Sequence, residues 1–182
     1  MPRRFRSRHT QSIGSCLFES VAVAWAHAYG VEMLEREAAT RTCRELAVNQ
    51  LAVRDIDGRG ALRSAWTAGG AGACCLYGPP DPDRVHHVGG GVEITADALT
   101  RGSGREPGEG FGDYAQRMLD ESSWGGESEL VALSACLRAK IIAYCRDGDG
   151  FRREYGIGRS IRVLYGQSHY RPLLPEDAGD SA

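Results

Sequence analysis

A single lysine, Lys140, stands among the 22 basic residues of this 182-residue chain; the rest are arginine, and with 24 glycines the bias has the look of GC-rich coding. Long apolar runs are missing too. Nothing approaches the ~20 consecutive apolar residues of a membrane-spanning helix, and Arg3, Arg4, Arg6 and Arg8 in "MPRRFRSRHT" have no apolar segment behind them. Neither a membrane span nor a secretory signal is expected, and residues 1–10 read as a basic, disordered arm. A charge excess is also lacking: the net charge of −2 gives no overall basic field to hold nucleic acid. Cys16, Cys43, Cys74, Cys75, Cys136 and Cys145 show no C-x-x-C spacing, and adjacent Cys74 and Cys75 suit a disulfide framework poorly. A metal site is therefore not expected, and a reducing, cytoplasmic compartment is.

What is present is 42% hydrophobic content, enough for one substantial core. The expectation is a monomeric domain over residues 11–175 with a frayed acidic tail at 176–182. Leu17, Val21, Ala24 and Ala28 recur at helical spacing, and Gly30 is a natural stop. A second helix is expected from about Glu32 to Val53. Residues 67–110, rich in Gly, Pro and Asp, read as long loops around a short strand, "GVEIT". The sequence "DYAQRML" reads as a short helix and "WGGESELVALSACLRA" as a longer one with Leu130, Leu133 and Leu137 on one face. "KIIAYC", "FRREY" and "IRVLYG" then read as strands, with His169 following the last.

Cys16 sits directly after a small-residue turn and in the first turn of the first helix. Unpaired amides and the positive end of the helix dipole favour an anion there, so the placement predicts a thiol of lowered pKa. Gly14 permits close approach, and the amides of Gly14 and Ser15 can shape an oxyanion hole. A nucleophile needs a base. His9 lies in the basic arm, His27 inside the first helix, and His86 and His87 in the Gly/Pro-rich region, which leaves His169 as the structurally fixed candidate. On the residues alone this describes a thiol hydrolase without a substrate.

Three segments resemble the ovarian-tumour (OTU) family of cysteine deubiquitinases. "IGSCLF" matches the family's D-G-x-C-L-F nucleophile motif, "WGGESELVAL" followed by "KIIAY" matches its central helix and strand, and "VLYGQSHY" matches its closing H-Y motif. The resemblance implies an α+β, papain-like fold with a small, mostly antiparallel sheet packed between helices. It makes Cys16 the nucleophile, His169 the general base, and the Gly14 and Ser15 amides the oxyanion hole. The implied reaction is isopeptide hydrolysis at the C-terminus of ubiquitin or a ubiquitin-like modifier, which is the implied partner, with no metal or cofactor, in a host cytosol if the source is viral or bacterial. The segment around Trp124, Gly125 and Gly126 reads as scaffold, and the loops of 67–110 as part of the ubiquitin-binding surface. Two positions depart from the pattern. Arg171 stands where Asp or Asn usually follows the histidine, and an arginine cannot accept the imidazole N–H; Ile13 stands where the nucleophile motif has Asp. Upstream of Cys16 the chain offers only Thr10, Gln11 and Ser12, none acidic, so the third member of a triad stays open. A ubiquitin-binding pseudoenzyme and a viral polyprotein protease are the alternative readings.

Overall fold

The computed structural model describes residues 5–8, 10, 14–32, 35–52, 58–59, 63, 81–88, 92–147 and 150–176. Helix α1 (Cys16–Tyr29) ends where Gly30 turns left-handed at φ 64°, ψ 35°. There the Val31 amide bonds back to the Ala26 carbonyl (2.9 Å) and the Gly30 amide to that of His27 (3.3 Å), closing the last turn. Every residue from Cys16 to Ala26 is buried, a wider interface than the single apolar face the spacing predicts. The reason is tertiary: α1 packs on α2 (Arg36–Ala52) and also on the strands Arg159–Gly166 and His169–Pro175.

Strands β1 (Phe5–Ser7), β4 (Ala139–Cys145), β5 (Phe151–Tyr155), β6 (Arg159–Gly166) and β7 (His169–Pro175) form one sheet in the order β1-β7-β6-β4-β5. All neighbours run antiparallel except β4 and β6, so the architecture is the α+β, mostly antiparallel one the motifs imply. A second, two-stranded sheet pairs β2 (Val85–Val88) with β3 (Val92–Thr95), and α3 (Ala96–Ser103) follows directly, with Thr95 Oγ1 capping it by accepting from the Ala98 amide at 3.2 Å. Helices α4 (Phe111–Arg117) and α5 (Glu127–Cys136) complete the described elements.

Four expectations change. Residues 5–7 are an edge strand of the main sheet, so the basic arm is not disordered throughout. His169 opens β7 instead of ending the sheet; Pro172 and Pro175, which argue against a strand, lie inside it. Residues 85–88 and 96–103 are a strand and a helix, not loop; 67–80 and 89–91 of the expected long loops lie outside the described residues, as does the acidic tail from 177. His86 is one of the side chains thereby buried, at 3% exposure, and its Nε2 has no hydrogen-bond partner among the described residues.

Burial first, then nearby Arg84 and His87, push the His86 pKa down to about 4 from 6.5. The unfolded chain then binds a proton that the folded chain resists, so stability is full above pH 6.5 and falls as pH drops toward 4. The loss amounts to about 3 kcal/mol when complete. Urea unfolding at pH 7 and pH 5 is expected to show a smaller acid loss for His86→Phe than for the parent; equal losses would remove His86 from that role.

Candidate active site

Cys16 is the first residue of α1, and the turn before it is held from outside. A Cβ on Gly14 would stand 2.4 Å from the Glu121 carbonyl oxygen and 2.6 Å from the Ser122 backbone, so the residues after α4 cross too closely for any side chain. Ser15 occupies the cap position without capping: its hydroxyl donates to the Glu121 carbonyl at 3.1 Å.

Arg44, 1% exposed on α2, fixes both segments. Its Nη1 donates to the Met118 carbonyl (2.9 Å). The two Nη2 hydrogens are shared among Gly14 O (3.2 Å), Ser15 Oγ (2.9 Å), Glu121 O (3.1 Å) and Ser123 O (2.9 Å). The guanidinium also lies 4.3 Å from the Phe18 ring centroid. Ile13, where the family motif has its carboxylate, lies outside the described residues; the turn beside it is ordered by a cation supplied from another helix.

The W-G-G-x-x-E segment serves the same region. A Cβ on Gly125 would meet Phe18 Cζ at 2.9 Å, which lets the segment lie against the first turn of α1. Buried Glu129 reaches back to the Gly126 amide (2.7 Å) and accepts from the Tyr114 hydroxyl (2.5 Å), closing the start of α5. Burial pushes the Glu129 carboxyl up, while the Tyr114 hydroxyl and the Gly126 amide pull it down. The glycines and Glu129 are thus scaffold, as the sequence suggests. Trp124, between Ser123 on Arg44 and Gly125 on Phe18, is 53% exposed.

Across from Cys16, β6 turns into β7 through Gln167 and Ser168, both left-handed at φ 55° and 56°. Such a two-residue turn matches the twist of the hairpin but costs non-glycine residues about 1 kcal/mol each. Asp147 offsets part of this by accepting from the Gln167 amide at 2.8 Å. The next residue is His169, paired with Gly166 in the register. Its neighbour Tyr170 donates its amide toward Cys16 Sγ at 3.5 Å, so the residue next to His169 lies against the thiol. His169, Arg146, Asp147 and Arg171 line a polar cleft of about 270 Å³. Arg171 Nε has no hydrogen-bond partner among the described residues.

The buried hydroxyl of Thr10 contacts His169 Nε2 and donates to the Tyr170 carbonyl at 2.8 Å. Gln11 and Ser12 lie outside the described residues, as does His9; His27 is exposed on α1, and His86 and His87 belong to the two-stranded sheet.

The Cys16 thiol differs from expectation. Burial raises its pKa, and Glu19 adds to the rise, outweighing the amides of Tyr170, Leu17 and Cys16 itself that stabilise the thiolate. The helix-start effect is present but burial exceeds it, because the residue is 3% exposed. The arrangement therefore suits a thiol that surrenders its proton to a neighbouring base during reaction. Among the described residues no group of three or more His, Cys, Asp or Glu is placed to hold a metal ion, and no helix is long and apolar enough to cross a membrane.

Known proteins share this fold and part of this sequence. A curated relative, the OVARIAN TUMOR DOMAIN-containing deubiquitinating enzyme 4 of Arabidopsis thaliana, is 37% identical over 73 residues, covering 35% of this chain and 23% of that protein, so the shared stretch is under a quarter of the relative's length. The viral OTU domain protease from Taggert virus superposes with a TM-score of 0.54 at 17% identity, covering 97% of this chain and 82% of the viral one. The Hazara virus OTU bound to ubiquitin gives 0.53 at 13% identity, covering 96% and 83%. At those identities the likeness is one of fold. The sequence pattern of the OTU-like cysteine proteases matches residues 11–171, and the chain belongs to that family.

Proposed function

We propose that this chain is a thiol-dependent deubiquitinase in which Cys16 and His169 carry the chemistry. The supporting observation is the Tyr170 amide on Cys16 Sγ, which holds the residue next to His169 against the thiol. The thiol proton passes to His169 as Sγ attacks the isopeptide carbonyl carbon, and the resulting oxyanion is met by the amides of Gly14, Ser15 and Cys16. His169 then gives that proton to the departing lysine amine as the C–N bond breaks. Water, deprotonated by the same ring, cleaves the thioester and regenerates the thiol. No cofactor enters the scheme.

Ubiquitin carrying an electrophile at its C-terminus tests the reading. A covalent adduct at Cys16, located by peptide mass, supports it; binding without an adduct would mean a pseudoenzyme, and neither binding nor adduct would remove ubiquitin as the partner.

Trp124 supplies a further check on the substrate side. A large exposed aromatic, in the segment whose neighbours Ser123 and Gly125 contact Arg44 and Phe18, offers binding area at low entropic cost. Trp124→Ala is expected to raise KM for a fluorogenic ubiquitin substrate about tenfold, equivalent to roughly 1.4 kcal/mol of binding, with kcat and Tm little changed. A fall in kcat or Tm with KM unchanged would return Trp124 to a scaffold role.

A further inference from the structure

We infer that Thr10 is the positioning residue that orients His169, in the place a carboxylate holds in an ordinary triad. The inference rests on the reading of Cys16 and His169 as nucleophile and base. Its starting point is register. β1 pairs with β7 as Phe5↔Pro175, Arg6↔Leu174 and Ser7↔Leu173, and the Arg8 amide continues the ladder onto the Pro172 carbonyl at 3.2 Å. The same register carried three residues past Ser7 sets Thr10 opposite Tyr170, immediately beside His169.

The chemistry of the hydroxyl then fixes the ring. A threonine hydroxyl has one proton to donate and lone pairs to accept with. The Tyr170 carbonyl can only accept, so that proton is committed to it. Toward His169 Nε2 the Thr10 oxygen is therefore an acceptor, and Nε2 must carry the hydrogen. In the neutral ring this leaves the unprotonated lone pair on Nδ1, the nitrogen that can take the Cys16 proton. Thr10 is 1% exposed, so water does not compete for either contact.

Arg146, Asp147 and Arg171 line the cleft of His169, and the Tyr170 amide lies on Cys16 Sγ. Thr10 supplies a neutral acceptor in place of a carboxylate and selects the tautomer, which explains how the pair tolerates an arginine at 171.

The test compares the parent protein with Thr10→Val and Thr10→Ser by two readouts. One is steady-state cleavage of a fluorogenic ubiquitin substrate; the other is the pH dependence of Cys16 alkylation by iodoacetamide, located by peptide mass, which needs no substrate. Thr10→Val is expected to lower kcat about tenfold with KM unchanged, and to slow Cys16 alkylation at pH 7 while moving its midpoint upward. Thr10→Ser keeps the hydroxyl and is expected to match the parent in both. A Thr10→Val protein with the parent's alkylation profile would overturn the assignment, and so would a Thr10→Ser protein as slow as Thr10→Val. Should Thr10→Val not fold, Thr10→Ala takes its place with the same expectations. If no variant, the parent included, cleaves the ubiquitin substrate, the proposed function fails, while the alkylation profiles still decide Thr10.

Discussion

Cys16→Ala is expected to abolish cleavage of ubiquitin conjugates, lowering kcat by ~10⁴-fold or more, while the protein stays folded. The magnitude follows from loss of the only atom that can form the thioester; removing a nucleophile leaves binding and oxyanion contacts alone to act on the bond. The fold should tolerate the change. Alanine is the best helix former at the first position of α1, and deleting one buried sulfur leaves a space too small to cost more than about 1–2 kcal/mol. Cys16→Ser should be nearly as inactive, because the hydroxyl is far less acidic than the thiol and burial already works against ionisation at this position. Conjugate cleavage on a gel, beside thermal melts of all three proteins, decides it. Near-parental rates in Cys16→Ala with an unchanged melt would take the chemistry away from this helix start.

His169→Ala is expected to lower kcat/KM by ~10² to 10⁴, the range that a general base supplies. The dependence on the base is strong here because the thiol is raised by burial and must be relieved of its proton as it attacks. Thermal melts of both proteins separate chemistry from mere loss of structure. His87→Ala, at an exposed position of the two-stranded sheet, should leave the rate unchanged. If His169→Ala kept a near-parental kcat/KM with an unchanged melt, a different group would be the base.

The sequence made Cys16, His169 and the helix bearing the nucleophile legible, because a helix start after a glycine turn and a histidine near a strand are local signals. Arg44 and Thr10 were not. In an alanine-rich helix an arginine reads as a solvated charge, yet Thr40, Arg44, Ala47 and Leu51 fall at helical spacing and all four are buried. That stripe was the available signal: an arginine in line with apolar neighbours has to find acceptors inside. Thr10 stood among the non-acidic residues upstream of Cys16 with nothing to single it out, since its role depends on the pairing of β1 with β7. Both strands are hard to recognise, one being three residues long and the other interrupted by prolines. The thiol shift was missed for a similar reason, because the helix-start effect is local and burial is not.

The pairing of β1 with β7 also sets when the site comes into being. Thr10 and His169 are 159 residues apart in the chain, and Cys16 and Tyr170 are 154 apart. During synthesis the segment that forms α1 leaves the ribosome early, while the histidine and the ladder that places the threonine arrive with the last strand. Contacts of such separation form only after the intervening chain has been closed into a loop, which makes them slow. If Cys16 and His169 act as proposed, a nascent or C-terminally clipped chain carries the thiol without its base, and hydrolysis waits on completion of the sheet.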